Sequence, residues 1–154
     1  MQKDIYGGSM IRRLNESDIV QILPLFKAYL DFYQVKSDLV EIETFLLQRF
    51  SQDEIIVFGE CTNQELKSFA LLYPSFSSLS MKPILNLNDL YVSVLHQRQG
   101  LAEKMIKHIT LWGKKNGYCR ISLKTQHSNL AAQALYKKLG WKESVSFKDF
   151  NYEL

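Results

Sequence analysis

The stretch Ile84–Ala102 constrains this chain more than any other. An apolar strand pattern over Ile84–Val94 gives way to a polar loop, and Gly100 then opens an amphipathic helix pattern that runs to Asn116. Leu101, Met105, Ile109 and Trp112 form its apolar stripe, and Gly117 stops it. A strand feeding a helix in this way points several unpaired backbone N–H groups and the positive end of the helix dipole at one spot. Gly100 either merely marks the helix start or makes that spot an anion site. Small residues at Gly100 and Ala102 let phosphate oxygens approach the backbone, where a bulky side chain would block them. Charge-assisted hydrogen bonds contribute about 1.5–3 kcal/mol each, so three or four can anchor a diphosphate against its desolvation. The dipole alone, at about 0.3–1 kcal/mol, cannot. Neither a Gly-Lys-Ser/Thr phosphate loop nor a G-x-G-x-x-G dinucleotide pattern is present, which argues against nucleotide hydrolysis and hydride transfer.

Around this stretch the pattern predicts a mixed α/β chain. Residues 1–9, ending Gly7-Gly8-Ser9, read as a flexible leader, with Met10 as the start of a domain over 10–154. Met10–Leu14 reads as extended. Asn15 and Ser17 offer N-caps to a helix carrying Ile19, Ile22, Phe26, Leu30 and Tyr33 on one face. Pro24 predicts a late start, a kink or a break in that helix. A second helix begins after Ser37, strands follow at Glu54–Cys61 and Leu66–Tyr73 about an Asn63-Gln64 turn, and the Ser-rich stretch from Pro74 to Pro83 reads as a loop. Beyond Gly117 the pattern gives a strand over Ile121–Thr125, a helix over Ser128–Leu139, and one or two strands within Trp141–Leu154. At 154 residues there is no room for two independent cores and no linker to divide them, so the expectation is one α/β domain with a mixed sheet.

Charge is divided along the chain. Asn15–Glu65 carries three basic and ten acidic residues, a balance of −7, whereas Leu95–Lys142 carries ten basic residues and one acid, Glu103, a balance of +9. The later part is suited to something anionic and the earlier part to something cationic. No apolar run approaches the roughly 20 residues a membrane helix needs, and Cys61 and Cys119 both lie in apolar stretches. The expectation is a cytoplasmic protein in a reducing interior, with no disulfide scaffold and no membrane partner. No His/Cys/Asp group has metal-ligand spacing, so no metal is predicted.

A second cluster lies on and after the helix that follows the next strand. Asn129 and Tyr136 are seven residues apart, about two turns, and share a face. The two segments together resemble the GCN5-related N-acetyltransferase family. Its Q/R-x-x-G-x-G/A motif is matched by Gln97-Arg98-Gln99-Gly100-Leu101-Ala102. Its later motif is matched from Asn129 through Ala132, Leu135 and Tyr136 to Gly140-Trp141. Gln97 and Ala102 stand where Arg and Gly are commoner in the family, and both lie within its tolerance. The resemblance covers nearly all of Met10–Leu154.

That resemblance implies a mostly antiparallel mixed sheet with splayed central strands, flanking helices and an acetyl-CoA site. The strand carrying Tyr91, Val92 and Val94 would part from its neighbour at Ile121–Thr125 and hold the pantetheine arm. Gln97, Arg98, Gln99, Gly100, Leu101, Ala102 and Glu103 would wrap the pyrophosphate, and Asn129 would contact the cofactor arm. Tyr136 would serve as general acid for the departing thiolate while also contacting the cofactor. The base is open between Asp89, which otherwise serves as an acceptor contact or a solvated carboxylate, and the weaker His127. On a regular strand Leu87, Asp89, Tyr91 and Ser93 share one face, so Asp89 and Tyr91 look into the same groove.

Asn88-Asp89-Leu90-Tyr91-Val92 resembles the strand of the branch holding polyamine acetyltransferases and acetyltransferases of histones and other proteins. The polyamine enzymes carry Glu where this chain has Asn88. Asp31, Asn88 and Asp89 are the candidate acceptor contacts, with Asp38, Glu41 and Glu43 adding negative charge nearby. A small cationic amine and a lysine side chain both satisfy the pattern. Two other functions compete. One is a non-catalytic acyl-CoA-binding regulatory module. The other is nucleic-acid binding through Lys104, Lys107, Lys114 and Lys115, for which no helix-turn-helix, zinc or RNP-like signature is visible. Dimers are common in the family, so a homodimer is one expected assembly.

Overall fold

The apolar run Ile55-Ile56-Val57-Phe58 is continuous because it is buried on both faces of a sheet. Ile55 and Val57 enter one core, and Ile56 and Phe58 enter another. The computed structural model describes residues 10–63 and 65–154, so residues 1–9 of the expected leader and Gln64 of the expected turn lie outside the described residues. The elements are β1 (Met10–Leu14), α1 (Ile19–Phe32), α2 (Leu39–Ser51), β2 (Ile56–Thr62), β3 (Glu65–Ser77), β4 (Lys82–Val92), α3 (Leu101–Lys115), β5 (Ile121–Leu123) and α4 (Leu130–Lys138), with short 3₁₀ turns at Glu16–Asp18 and Val94–His96. The sheet order is β1-β2-β3-β4-β5. The first four strands are antiparallel and β5 joins β4 in parallel. Two compact units are resolved, one ending at Lys124 and the other spanning Thr125–Leu154.

In the first unit, α1 and α2 cover one face of the sheet through Ile22, Phe26, Ile42 and Leu46 against Phe69 and Leu71. The other face packs Leu72, Leu85 and Leu87 against Met105 and Ile109 of α3. Both helices of the first face begin on capping boxes, Asn15 with Asp18 ahead of α1 and Asp38 with Glu41 at α2. Arg12 clamps Asp18 at 2.6 and 3.0 Å and holds its carboxyl below the ordinary value. On the α3 side, Glu60 of β2 is fully buried and takes Lys104 Nζ at 2.6 Å, which pins the first turn of α3 to the sheet.

Three expectations are corrected. Pro24 neither breaks nor delays α1, which runs through it; the proline removes the partner of the Val20 carbonyl, and Val20 is exposed rather than buried, so the loss is not compounded by burial in the core. Residues 74–83 are mostly strand rather than loop, since Pro74 pairs with Leu85 and Ser77 with Lys82. Pro74 is tolerated because β2 pairing ends at Leu72, which leaves the outer part of β3 with a neighbour on one side only, and Pro83 stands at the second residue of β4. Residues 139–154 form no helix or strand. Val145, Phe147, Phe150 and Tyr152 there are exposed, so no burial offsets the entropy of ordering a strand.

Gly59 shows how tightly the α1/α2 face is packed. A Cβ placed there would lie 2.5 Å from Leu66 Cδ1 and 2.7 Å from Leu14 Cδ1, both on buried residues. Gly59→Ala is expected to cost about 1–3 kcal/mol through overpacking. Urea denaturation checks it, and an unchanged midpoint with an unchanged slope contradicts it.

Candidate active site

The site begins with one extra residue in β4. Leu72 pairs with Leu87, but the next residue of β3, Leu71, pairs with Asp89. Asn88 is therefore the inserted residue of a β-bulge, the device by which strands re-aim a side chain. Before the bulge, Leu85 and Leu87 enter the α3 core; after it, Tyr91 packs on the α1/α2 side and Leu90 on the α3 side. Asp89 and Tyr91 do share a face, as expected. Leu87 does not share it, because the bulge inverts the alternation between them.

Asp89 is 7% exposed and faces α1. Its Oδ1 accepts from Tyr29 Oη at 2.6 Å, and Asn88 Nδ2 lies 3.1 and 3.2 Å from its two oxygens. Burial pushes the Asp89 carboxyl above its ordinary value, and the hydrogen bonds from Tyr29 and Asn88 offset only part of that. The Tyr29 hydroxyl is pushed far up by burial and by its bond to Asp89, so it stays protonated and donates. Burial, with the Asp89 charge added, raises Tyr73 as well. A carboxylate moved toward neutral pH is the more effective proton acceptor there. Asp89 and Asn88 line an open cleft of about 570 Å³ together with Phe26, Tyr29, Tyr33 and Tyr73. Asp31 does not line it; its carboxylate bonds to Lys27 on the outer surface of α1.

The residues expected to hold an anion lie at the start of α3. Gly100 is the N-cap of α3 at φ 76°, ψ 11°, and no side chain caps that helix end. Among the described residues a Cβ at Gly100 would meet nothing within 4 Å, so the glycine is set by its left-handed backbone rather than by crowding. Gln97 Nε2 donates to the Val92 carbonyl at 3.3 Å and ties the loop to the strand end. Gln97, Arg98 and Gln99 are exposed in that loop, as is Val94 in the preceding 3₁₀ turn. Leu101 is buried, Ala102 is half-buried, and Glu103 pairs with Lys107 at 2.8 Å. Tyr91 turns its ring into the core against Tyr29 and Phe69. The β4–β5 ladder spans only Leu85–Leu87 against Ile121–Leu123. Beyond it, Asn88–Val92 has no ladder partner on that edge among the described residues, which is the expected parting of the strands. An uncapped helix start and an unladdered strand edge beside it fit a pantetheine arm ending in a diphosphate.

In the second unit, Asn129 caps α4, its Oδ1 accepting from the Ala132 N–H at 3.2 Å. Tyr136 lies on α4 with its ring 5.7 Å from that of Trp141, whose N–H donates to the Tyr136 carbonyl at 3.0 Å. Gln133 Nε2 donates to the carbonyls of Gln126 and His127, which fixes the approach to the helix.

Sequence reasoning missed Tyr29 and Tyr73 as site residues. The spacing of Phe26, Tyr29 and Tyr33 at i, i+3 and i+7 marks one aromatic face of α1. The bulge was also legible, since the apolar parity of β4 slips from Leu85 and Leu87 to Leu90 and Val92 across the adjacent polar residues Asn88 and Asp89.

Comparison with known proteins supplies the family. The model of the acetyltransferase (GNAT) family matches residues 22–141. The chain is 36% identical over 137 residues to an uncharacterized N-acetyltransferase, YhfO, of Bacillus subtilis (strain 168), covering 89% of this chain and 92% of that one. It superposes on the crystal structure of a probable acetyltransferase with a TM-score of 0.87 at 30% identity, over 94% of this chain and 98% of the other. The fold is shared with an aminoglycoside acetyltransferase from an uncultured soil metagenomic sample, at a TM-score of 0.80 and 21% identity over 95% and 96% of the two chains. The chain belongs to the GNAT acetyltransferase family and is an acetyl-transferring enzyme.

Proposed function

We propose that the protein moves the acetyl group of acetyl-CoA onto a primary amine by direct attack. The observation that carries this reading is the bulge at Asn88, which turns a buried carboxylate into a cavity while the same strand leads on to the uncapped start of α3. The amine nitrogen forms a bond to the thioester carbonyl carbon, the C–S bond breaks, and coenzyme A leaves as thiolate. Asp89 receives the proton the ammonium must lose before attack, directly or through water; the nitrogen sheds its second proton to solvent as the amide forms, and Tyr136 gives a proton to the thiolate and regains one from solvent. The backbone N–H groups at the start of α3 hold the diphosphate, and the free edge of Asn88–Val92 holds the arm. Tyr136 is assigned on its place in the matched motif and Asp89 on its burial and cavity. Most of the acceleration comes from holding amine and thioester together.

Two of the four lysines that could have followed a nucleic-acid backbone are committed to carboxylates, Lys104 to Glu60 and Lys107 to Glu103. Acetyl-CoA is therefore expected to raise the melting temperature at physiological salt, and a duplex oligonucleotide is not. The opposite result counts against the enzyme reading. An acceptor screen that reads thiol release over polyamines, amino sugars, amino acids and lysine peptides tests the reaction; binding of acetyl-CoA without transfer to any amine leaves a regulatory module in its place. Tyr136→Phe is expected to lower kcat about 10²–10⁴-fold with little change in acetyl-CoA affinity. An unchanged kcat across the pH profile removes Tyr136 from the mechanism.

A further inference from the structure

The cavity beside Asp89 carries more information than its carboxylate. Its ionisable lining beyond tyrosine consists of Asp89 and Glu41, with no lysine, arginine or histidine among the described residues. Glu41 is exposed at the rim, where its Oε2 accepts from the Asp38 N–H at 3.1 Å in the capping box of α2, whereas Asp89 is 7% exposed. Only one carboxylate is therefore buried and aimed inward. Around it stand five aromatic rings, those of Phe26, Tyr29, Tyr33, Phe45 and Tyr73. Tyr29 holds this cluster together, with its ring 5.8 Å from Phe26 and 5.1 Å from Tyr33 while its hydroxyl bonds to Asp89.

Such a lining recognises one positive charge and one apolar body. A single ammonium is drawn to Asp89 and to the faces of the neighbouring rings, a cation–π contact worth about 2 kcal/mol when desolvated. A carbon skeleton then gains from burial against Leu30, Val35 and Ile42, which extend the same walls. A polycation meets the reverse situation. Its second and third charges would have to leave water for aromatic walls with no free buried carboxylate to receive them. The acidic balance of the early segment does not change this, because Asp31 is turned outward to Lys27.

Resting on the acetyl-transfer reading above, we infer that the acceptor is a primary amine with a single positive charge on an apolar, ring-sized body, selected by the aromatic walls around Asp89. Tyr29 is the positioning residue that fixes the carboxylate, and Tyr33 is the specificity-determining wall at the mouth, where it is 41% exposed.

The test measures kcat/KM with saturating acetyl-CoA for 2-phenylethylamine, spermidine, kanamycin and a lysine peptide, with acetyl-CoA affinity measured separately by calorimetry. The expected result is a kcat/KM for 2-phenylethylamine at least tenfold above that of each of the other three. Tyr33→Ala should lower that value severalfold while leaving acetyl-CoA affinity unchanged. Tyr29→Phe should move the acid limb of the pH profile upward, since it removes a hydrogen bond to the carboxylate; a merely structural tyrosine would not shift it. Equal or better turnover of spermidine, kanamycin or the peptide overturns the inference while the acetyl-transfer reading stands. Acetyl-CoA binding with no amine acetylated overturns both.

Discussion

Gly100→Val is expected to weaken acetyl-CoA binding by two orders of magnitude or more while leaving the chain folded. Gly100 sits at φ 76° as the N-cap of α3, a conformation that costs a side-chain-bearing residue about 1–2 kcal/mol. A β-branched residue is among the least able to adopt it. The helix start can relax by shifting that residue out of the left-handed region, which turns the first N–H groups away from their common focus. Losing two charge-assisted hydrogen bonds at about 1.5–3 kcal/mol each corresponds to about a hundredfold or more in affinity, at 1.4 kcal/mol per tenfold. The fold is expected to survive because, among the described residues, a Cβ at this position meets no atom within 4 Å. Gly100→Asn separates the two causes, since asparagine tolerates the left-handed region but still places a side chain in the approach. Calorimetric titration with acetyl-CoA gives the answer, and normal affinity in the valine variant would remove the diphosphate from the start of α3.

Asp89→Asn is expected to lower kcat/KM about 10²–10⁴-fold and, at neutral pH, to raise the melting temperature. The two effects share one cause. Burial raises the Asp89 carboxyl in the folded protein above its value in the unfolded chain. A group raised in this way contributes its full stability below the ordinary carboxyl range and loses it as pH climbs through the folded value. At neutral pH the folded protein thus bears the cost of a buried charge, which asparagine removes while keeping the shape and an acceptor oxygen for Tyr29. Each kcal/mol recovered corresponds to about 2–4 °C in a chain of this size. The advantage of the variant should shrink toward acid pH, where the wild-type carboxyl is protonated. A variant that keeps wild-type turnover would remove Asp89 as base; one whose melting temperature falls at neutral pH would contradict the burial account.

Much of this was legible in the sequence, for identifiable reasons. Gly100 announced a helix start because strand, polar loop and apolar stripe all agreed on the same place. The parting of β4 from β5 and the element order followed once the two motifs stood in series. What could not be read depended on tertiary context. Pro24 interrupts a helix on local grounds, yet α1 continues through it, with Val20, whose carbonyl loses its partner, exposed and Ile22, Leu25 and Phe26 buried. Asp31 and Asp89 are both carboxylates in candidate positions, and only packing distinguishes them: one turns outward to Lys27 and the other is buried against Tyr29. The charge division misled in part for the same reason, since the acidic segment places a single carboxylate at the cavity, Glu41, and that one caps a helix. The buried acid that faces an amine lies on β4.

The central claim is direct transfer from the thioester to an amine nitrogen. Single turnover with acetyl-labelled acetyl-CoA tests it, first without acceptor and then with 2-phenylethylamine and a lysine peptide in parallel. The account predicts no label on the protein before an amine is added, and afterwards one thiol released for each labelled N-acetyl product. Label carried on the protein itself in the absence of acceptor would contradict it.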